Sequence, residues 1–287
     1  MRAVAGPGRW VWVLSGLATA AILAVPGARL ITLGDGPMNA SAEPQAVTTR
    51  TVTVPQPVTS LTVQSDGGQV QVAAGQVSRV RVTETIMYDP KGDGAPAVAQ
   101  SVVAGRLSLS DPTCAYSDCS VNFSLTVPFG VTVSVATQGG PVAVSGVAGA
   151  NLDTGGGPAR ISLIGGPLTV STDGGPLVLR GVTGPLRADT SGGTLLAQDV
   201  AAATATVTTG GGPAMITFVD APESVSVSTD GGPVILAVPG GPYAVAADSD
   251  GGPQSVAIAT NPDARPALAV SSGGGPLRIE PAASRGA

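Results

Sequence analysis

The residues that could do chemistry in this chain are mainly aspartates, because the sequence contains no histidine. Without an imidazole, neither a Ser-His-Asp nor a Cys-His nucleophile can form. Six aspartates stand four or two residues before regularly spaced glycines: Asp153, Asp189 and Asp248, then Asp173, Asp230 and Asp250. Within either set, only Asp230 and Asp250 belong to consecutive repeats, so they are the candidate carboxylate pair for a glycan-processing enzyme. We expect the aspartates to cap turns through their own backbone instead, and we predict no catalytic, cofactor-binding or metal-binding residues.

The two cysteines, Cys114 and Cys119, enclose four residues, which is long enough to close a small loop. Two thiols without histidine cannot complete a tetrahedral zinc site, and their spacing differs from the C-x-x-C of redox proteins. In an exported chain, such a pair favours a local disulfide. We therefore predict a disulfide between Cys114 and Cys119.

A repeat of about 20 residues must position these groups. Ser or Thr always stands three residues before its anchor glycine, and apolar residues stand seven and five before it. The positions two and four after the anchor are also apolar, with Gln254 as the one exception. The anchors lie 17 to 23 residues apart, at Gly140, Gly157, Gly175, Gly193, Gly212, Gly232, Gly252 and Gly275. This periodicity is typical of stacked-strand repeat proteins.

The apolar positions on either side of each anchor define two short strands joined at a Gly-Gly-Pro corner. Glycine permits positive φ at the corner, and proline suits the first residue of a strand. We predict an all-β fold, a right-handed parallel β-solenoid (β-helix-like) in which successive repeats pair. Regular repeats cover residues 136–281, irregular repeats or a capping β region cover residues 47–135, and residues 282–287 form a tail.

Two columns of side chains recur from repeat to repeat. The Ser/Thr column shares the parity of the core, so we expect its hydroxyls to bond the turn backbone of neighbouring repeats. Three residues after the anchor the parity points outward, and four successive repeats place apolar residues there: Val178, Leu196, Met215 and Ile235. Arg160 and Ser255 flank them. An apolar stripe with a polar rim marks association, so these four residues are the candidate interface, unless a loop covers them or the face is half-buried.

An uncharged stretch, residues 10–28, is long enough for a membrane-spanning helix. Trp10 and Trp12 stand at its start, where interfacial aromatic residues are expected. We predict an uncleaved signal anchor within residues 1–46, with the rest of the chain on the extracytoplasmic side of the cell membrane. The alternative is secretion after cleavage near Ala42, at an A-x-A site far from the apolar stretch.

The chain is acidic, with 19 Asp and Glu against 14 Lys and Arg. Its first 42 residues hold three arginines and one aspartate, so the exported part is more acidic still. This balance argues against nucleic acid as a partner. We expect a partner in the cell envelope or on the cell surface, membrane contact through the N-terminal helix, and self-association as an alternative use of the apolar stripe.

These features resemble the bacterial putative-adhesin β-strand-repeat family, a domain family of unknown function. The resemblance covers about residues 50–280 and rests on the membrane segment, on strands around small-Gly-x-Val corners, and on a polar loop from Cys114 to Cys119 before the strand Val121–Pro128. The family's corners often read Ser-Gly-Asp-Val, whereas here most read Gly-Gly-Pro-Val or Gly-Gly-Pro-Leu. The resemblance implies a β-repeat architecture and brings no catalytic residues.

The sequence therefore predicts a non-enzymatic, exported cell-surface β-solenoid with an N-terminal transmembrane helix, acting in adhesion or as an envelope scaffold and interaction module. The alternative is a glycan-processing enzyme on a β-helix, with Asp230 and Asp250 as its carboxylates.

Overall fold

The computed structural model describes residues 45–91, 94–111 and 119–282. These residues form 23 β-strands and no helix. No helix in this part of the chain is therefore long and apolar enough to cross a membrane. The predicted membrane helix, residues 10–28, lies outside the described residues, as do residues 283–287 of the predicted tail.

The described strands form two sheets, called here sheet A and sheet B. Sheet A has twelve strands in the order β1-β4-β7-β3-β9-β11-β13-β15-β17-β19-β23-β21. Their bounds are β1 Ala46–Thr53, β3 Val70–Gly75, β4 Arg81–Tyr88, β7 Ser120–Pro128, β9 Val142–Ser145, β11 Ala159–Ile164, β13 Leu177–Val182, β15 Leu195–Val200, β17 Ala214–Phe218, β19 Val234–Val238, β21 Gln254–Val256 and β23 Leu277–Pro281.

Sheet B has eleven strands in the order β20-β22-β18-β16-β14-β12-β10-β8-β2-β6-β5. Their bounds are β2 Ser60–Ser65, β5 Ala99–Val103, β6 Arg106–Ser110, β8 Thr132–Thr137, β10 Gly149–Thr154, β12 Leu168–Thr172, β14 Leu186–Thr190, β16 Thr204–Thr209, β18 Ser224–Thr229, β20 Ala244–Asp248 and β22 Ala267–Ser271.

Each repeat unit gives one strand to each sheet, and strands of neighbouring units pair in parallel. Leu168 of β12 pairs with Leu186 of β14 in sheet B, and Leu177 of β13 pairs with Leu195 of β15 in sheet A. Within the described chain, antiparallel pairs occur at one end of the stack, where β1 pairs with β4, β4 with β7, and β5 with β6. The predicted all-β architecture is confirmed, with two mostly parallel sheets.

The core lies between the two sheets, because alternate residues of each strand point towards the opposite sheet. In the unit of β12 and β13 the inward residues are Leu168, Val170, Leu177 and Leu179, and all four are buried. Small and branched aliphatic residues fill most of this core, and the positions that the repeat marked as apolar supply them.

The order of units in space departs from the chain order at the C-terminal end. The unit of β22 and β23 lies between the unit of β18 and β19 and the unit of β20 and β21. The prediction that successive repeats pair is therefore wrong at this end. The inward positions give the physical reason: the inner unit carries Leu277 and Ile279, whereas the end unit carries polar Gln254, which stays exposed there.

The N-terminal end shows the same departure. The unit of β2 and β3 pairs with that of β8 and β9 on one side and with that of β6 and β7 on the other. Gly68 and Gly140 therefore belong to adjacent units although they lie 72 residues apart. Among the described residues, the unit of β2 and β3 and the unit of β22 and β23 are each held between two other units.

The anchor glycines allow backbones of adjacent units to approach each other. A Cβ atom on Gly193 would lie less than 3 Å from the carbonyl oxygen of Gly175, and the other anchors meet their neighbours in the same way. The positive φ expected at the corners occurs at the residue before some anchors, such as Gly211 at 119°. The anchor must be glycine because any side chain would push the stacked corners apart.

Candidate interaction surface

Four apolar side chains form one row on the outer face of sheet A, called here the apolar ridge: Val178, Leu196, Met215 and Ile235. Each is the second residue of a strand whose first residue is buried, so strand alternation turns its side chain away from the core. The parallel register aligns each residue of the row with the next. Since neighbouring strands lie about 4.8 Å apart, the ridge is about 14 Å long.

The ridge is accessible to solvent. Met215 and Ile235 are 37% and 36% exposed, and Val178 and Leu196 are half-buried. Side chains in one row of a flat sheet bury part of each other, which accounts for the half-burial. A loop lying over the row would bury Met215 and Ile235 as well, so this surface is open to a partner.

Arginines stand at both ends of the apolar ridge. Arg160 pairs with Val178 at one end, and Arg278 pairs with Ile235 at the other. Ser255, the flank that the sequence predicted, lies one strand beyond Arg278. The Arg278 guanidinium contacts the Glu280 carboxylate at 2.7 Å. The rim is therefore polar and partly neutralised by an ion pair on the same strand.

Prolines stand beside three of the four ridge residues and widen the apolar surface, whereas Thr194 takes this place beside Leu196. Pro176 and Pro233 are exposed and Pro213 is half-buried, each standing two residues before a ridge residue. The sequence reasoning assigned these prolines to the corners alone. The constant spacing of two residues between proline and ridge residue was the signal that could have placed both on one face.

The Ser/Thr column is buried, and most of its hydroxyls bond within their own corner. Thr190 Oγ1 donates to the Gly193 carbonyl oxygen at 3.1 Å, and the same three-residue bond recurs in other units. Thr229 Oγ1 also contacts the carbonyl oxygen of Ser272 in the adjacent unit, at 3.3 Å. The expected bonding between units is thus the exception. Among the described residues, Thr154 Oγ1 is buried without a partner.

The structure does not bring the candidate carboxylates together. The unit of β22 and β23 lies between the units of Asp230 and Asp250, so the prediction that these two belong to consecutive stacked units is wrong. Asp248 Oδ1 accepts a hydrogen bond from the Asp250 N–H at 3.0 Å, as a turn-capping aspartate does. In the described ranges, no group of three His, Cys, Asp or Glu residues could hold a metal ion.

A buried carboxylate that sequence reasoning missed lies in β4, at the antiparallel end. Glu84 is 3% exposed and occupies an inward position between Val82 and Ile86. Burial raises the pKa of Glu84, and the charge of Arg50, its neighbour on β1, opposes that rise. The signal was present in the alternation of this strand, where Glu84 takes a position that its neighbours fill with apolar side chains.

The predicted disulfide involves Cys119, which directly precedes β7, and Cys114, which lies outside the described residues. The pairing therefore stays a prediction.

No family model matches this chain, and no curated protein matches it. Solved structures that this chain matches include a "putative adhesin" from Parabacteroides distasonis, 10% identical, with a TM-score of 0.45, covering 82% of this chain and 97% of that one. A "putative adhesin" from Bacteroides fragilis is 14% identical, with a TM-score of 0.41 and coverages of 82% and 96%. A "putative lipid binding protein" from Parabacteroides distasonis is 11% identical, with a TM-score of 0.46 and coverages of 81% and 96%.

Proposed function

We propose that this chain is a non-enzymatic interaction module of the cell surface, acting in adhesion or as an envelope scaffold. The observation that carries the proposal is the apolar ridge with arginines at both ends. An apolar centre with a polar rim is the arrangement of protein–protein interfaces. The rigid pairing of the ridge strands holds the four side chains in place before a partner arrives, which lowers the entropic cost of binding.

The body that presents the ridge is, in this proposal, a right-handed β-solenoid. Two features support it: from β7 to β23 consecutive strands alternate between the sheets, and strands of neighbouring units pair in parallel. Parallel strands in one sheet need crossover connections, and such connections are right-handed in nearly all proteins.

The proposed location is the extracytoplasmic side of the cell membrane, with residues 10–28 as the anchor and a disulfide between Cys114 and Cys119. Secretion after cleavage near Ala42 is the alternative. Cell fractionation, N-terminal sequencing and mass analysis without reductant test these points together. Recovery in the cytosol with both cysteines reduced would end the proposal.

Removing the apolar side chains of the ridge should weaken partner binding. Fully burying a Leu or Ile stabilises by about 1.5–3 kcal/mol, and a side chain already about two-thirds buried retains about 0.5–1 kcal/mol of that. We expect the double variant Leu196→Ser, Ile235→Ser to bind intact cell envelopes about tenfold more weakly, the change that about 1.4 kcal/mol produces. Binding of labelled full-length protein to envelopes measures this.

Phe129→Ser is the matched control, since Phe129 is 63% exposed but lies away from the ridge, between β7 and β8. It should bind as the wild type does, and all three proteins should unfold at similar temperatures. Equal binding by the double variant and the wild type would show that the apolar ridge does not contact the partner. The enzymatic alternative predicts that the protein cleaves a polysaccharide and that this cleavage is lost when Asp230 and Asp250 are replaced. Observing such cleavage would favour that alternative, although Asp230 and Asp250 do not lie in adjacent units.

A further inference from the structure

At each end of the stack one sheet extends further than the other, and the sheet that extends further differs between the two ends. At the C-terminal end, the short segment 259–261 adds to sheet B. The Tyr243 N–H donates to the Ala259 carbonyl oxygen at 3.1 Å, and the Asn261 N–H donates to the Tyr243 carbonyl oxygen at 2.9 Å. The next residue, Ala244, bonds on its other side to Pro266 of the inner unit. Since backbone groups alternate in direction along a strand, this segment lies on the outer edge of β20, one level beyond β21 of sheet A.

At the N-terminal end, the extra strand belongs to the other sheet. In sheet B, β5 is the last described strand, at the level of β4 in sheet A, because β5 pairs with β6 and β4 pairs with β7. Sheet A continues one strand further, to β1. The described chain therefore ends one strand longer in sheet A at one end and one short segment longer in sheet B at the other.

One inward column runs through all twelve strands of sheet A. It is apolar through its middle and polar at its two ends. The pairings give its order as Arg50, Glu84, Phe123, Val70, Val142, Ala159, Leu177, Leu195, Ala214, Val234, Leu277 and Gln254. Arg50 and Gln254 are exposed, whereas Glu84 is buried beside Arg50. The polar residues of this column therefore lie at the two ends of sheet A, on β1 and β4 at one end and on β21 at the other.

We propose that copies of this chain stack head to tail, so that β21 of one copy pairs with β1 of the next and both sheets continue across the junction. The segment 259–261 of the first copy then lies at the level of β1 and meets β5 of the second. In the continued register, Arg50 stands between Gln254 of the neighbouring copy and its own Glu84. Its guanidinium can donate to the amide oxygen on one side and to the carboxylate on the other.

The charges at the two ends support a second copy as the occupant. Three exposed arginines lie on or beside the strands of the N-terminal end, Arg50, Arg79 and Arg81, and three exposed aspartates lie at the C-terminal end, Asp248, Asp250 and Asp263. Opposite charges steer two such ends together. A contact between different ends does not close on itself, so it generates a linear assembly. This junction is independent of the apolar ridge and goes beyond the proposed function.

Sedimentation velocity of the full chain over a range of concentrations tests the proposal. We expect the wild type to sediment faster as concentration rises and more slowly as salt is added. Arg50→Glu sets a carboxylate beside Glu84 and Gln254, and Val256→Pro removes an N–H from the open edge of β21. Both variants should sediment as single chains where the wild type is assembled, with association at least tenfold weaker. Arg187→Glu, the same charge change at an exposed mid-stack position, should behave as the wild type does.

Crosslinking tests the register itself and does not depend on either variant. Thr51 and Ser255 lie in the outward column next to Arg50 and Gln254, so they become neighbours across the junction. Mixing Thr51→Cys with Ser255→Cys and oxidising should give a disulfide between these two positions, found by peptide mapping. A mixture of Thr51→Cys with Ser226→Cys should give none.

Single-chain sedimentation of the wild type at every concentration, with no crosslink, would overturn the proposal and show that the polar column ends simply face water. Oligomers that persist in both Arg50→Glu and Val256→Pro would place the contact elsewhere. Circular dichroism and thermal unfolding establish that each variant is folded.

Discussion

At the scale of single residues, the corners decide how closely the units can stack. The anchor glycine of each unit lies against the backbone of its neighbour. In every one of these units except that of Thr154, the Ser/Thr hydroxyl three residues earlier bonds the carbonyl of that glycine. Replacing the anchor glycine Gly193 by alanine should therefore affect stability far more than the same change at Gly192, the glycine directly before it.

Gly193→Ala should destabilise the protein by about 3 kcal/mol, the upper part of the range for overpacking, because the new methyl group meets the backbone of Gly175. The adjacent Gly192→Ala is the control, since a Cβ there meets nothing within 4 Å. It should change stability by less than about 0.5 kcal/mol, as is usual for surface substitutions. Urea unfolding of both variants measures the difference, and equal losses would contradict the close-approach explanation.

Thr190→Val and Thr154→Val separate the hydrogen bond of the column from its packing. Thr190 donates a hydrogen bond to Gly193, whereas the buried Thr154 hydroxyl has no partner in the described chain. We expect Thr190→Val to cost about 1 kcal/mol and Thr154→Val to be neutral or stabilising, because an unmade buried hydrogen bond costs free energy. Chemical unfolding at constant pH checks this. A larger loss of stability in Thr154→Val than in Thr190→Val would show that the hydrogen bond to the corner carbonyl does not stabilise the column.

Glu84→Gln should raise the thermal midpoint at pH 7. Burial raises the pKa of Glu84 above its ordinary value of 4.5, and the opposing charge of Arg50 does not cancel the rise. The carboxyl therefore contributes its full stability below its unfolded-state pKa and loses it as the pH rises through the folded pKa. The gap between wild type and Glu84→Gln should shrink as the pH falls towards 4.5. The exposed Glu223→Gln should show no such gap, and a wild-type midpoint at or above that of Glu84→Gln at pH 7 would mean that Arg50 outweighs burial.

At the scale of elements, the last described unit of the chain lies inside the stack and not at its end. A linear repeat array frays from its ends, because the end unit has one neighbour. Here β22 and β23, the last strands of the described chain, have partners on both sides, and the end position is taken by β20 and β21. This end unit is connected to β19 before it and to β22 after it, and both of these strands lie further inside the stack.

Hydrogen exchange should therefore invert the usual gradient along the chain. Backbone amides of β22 and β23 should exchange more slowly than those of β20 and β21, although the former lie nearer the C-terminus, because strands paired on both sides open less often. Native-state exchange followed by mass spectrometry measures this. Faster exchange in β22 and β23 would mean that the chain order also governs stability at this end.

At the scale of the whole molecule, each unit of the middle of the stack contacts its two neighbours, so stability is a sum of units and interfaces. Inserting a second copy of residues 176–193 directly after Gly193 adds one full unit and keeps every later strand in its sheet. We expect the insertion variant to fold with a thermal midpoint at or above that of the wild type.

Inserting residues 176–184 at the same place is the control. This half unit would move every later strand into the wrong sheet and turn the corners out of register, so we expect loss of cooperative unfolding. Calorimetry of the two variants compares them. Equal behaviour would contradict a stack built from interchangeable two-strand units.

The sequence by itself determined the strands, the corners and which side chains face the core or solvent. Leu177 and Leu179 are buried and Ile235 is exposed because alternation is a local property that each strand carries in its own residues. The Glu84 position was missed because one polar residue in an apolar column does not change the period.

Only the tertiary structure decided which unit lies beside which. Gly275 stacks on Gly232, and Gly252 stacks beyond Gly275, although the chain order is the reverse. Units with the same apolar pattern can pair with one another in any order, so local pattern leaves the order open. The unit that carries Gln254 lies at the end of the core, where this polar inward side chain reaches water.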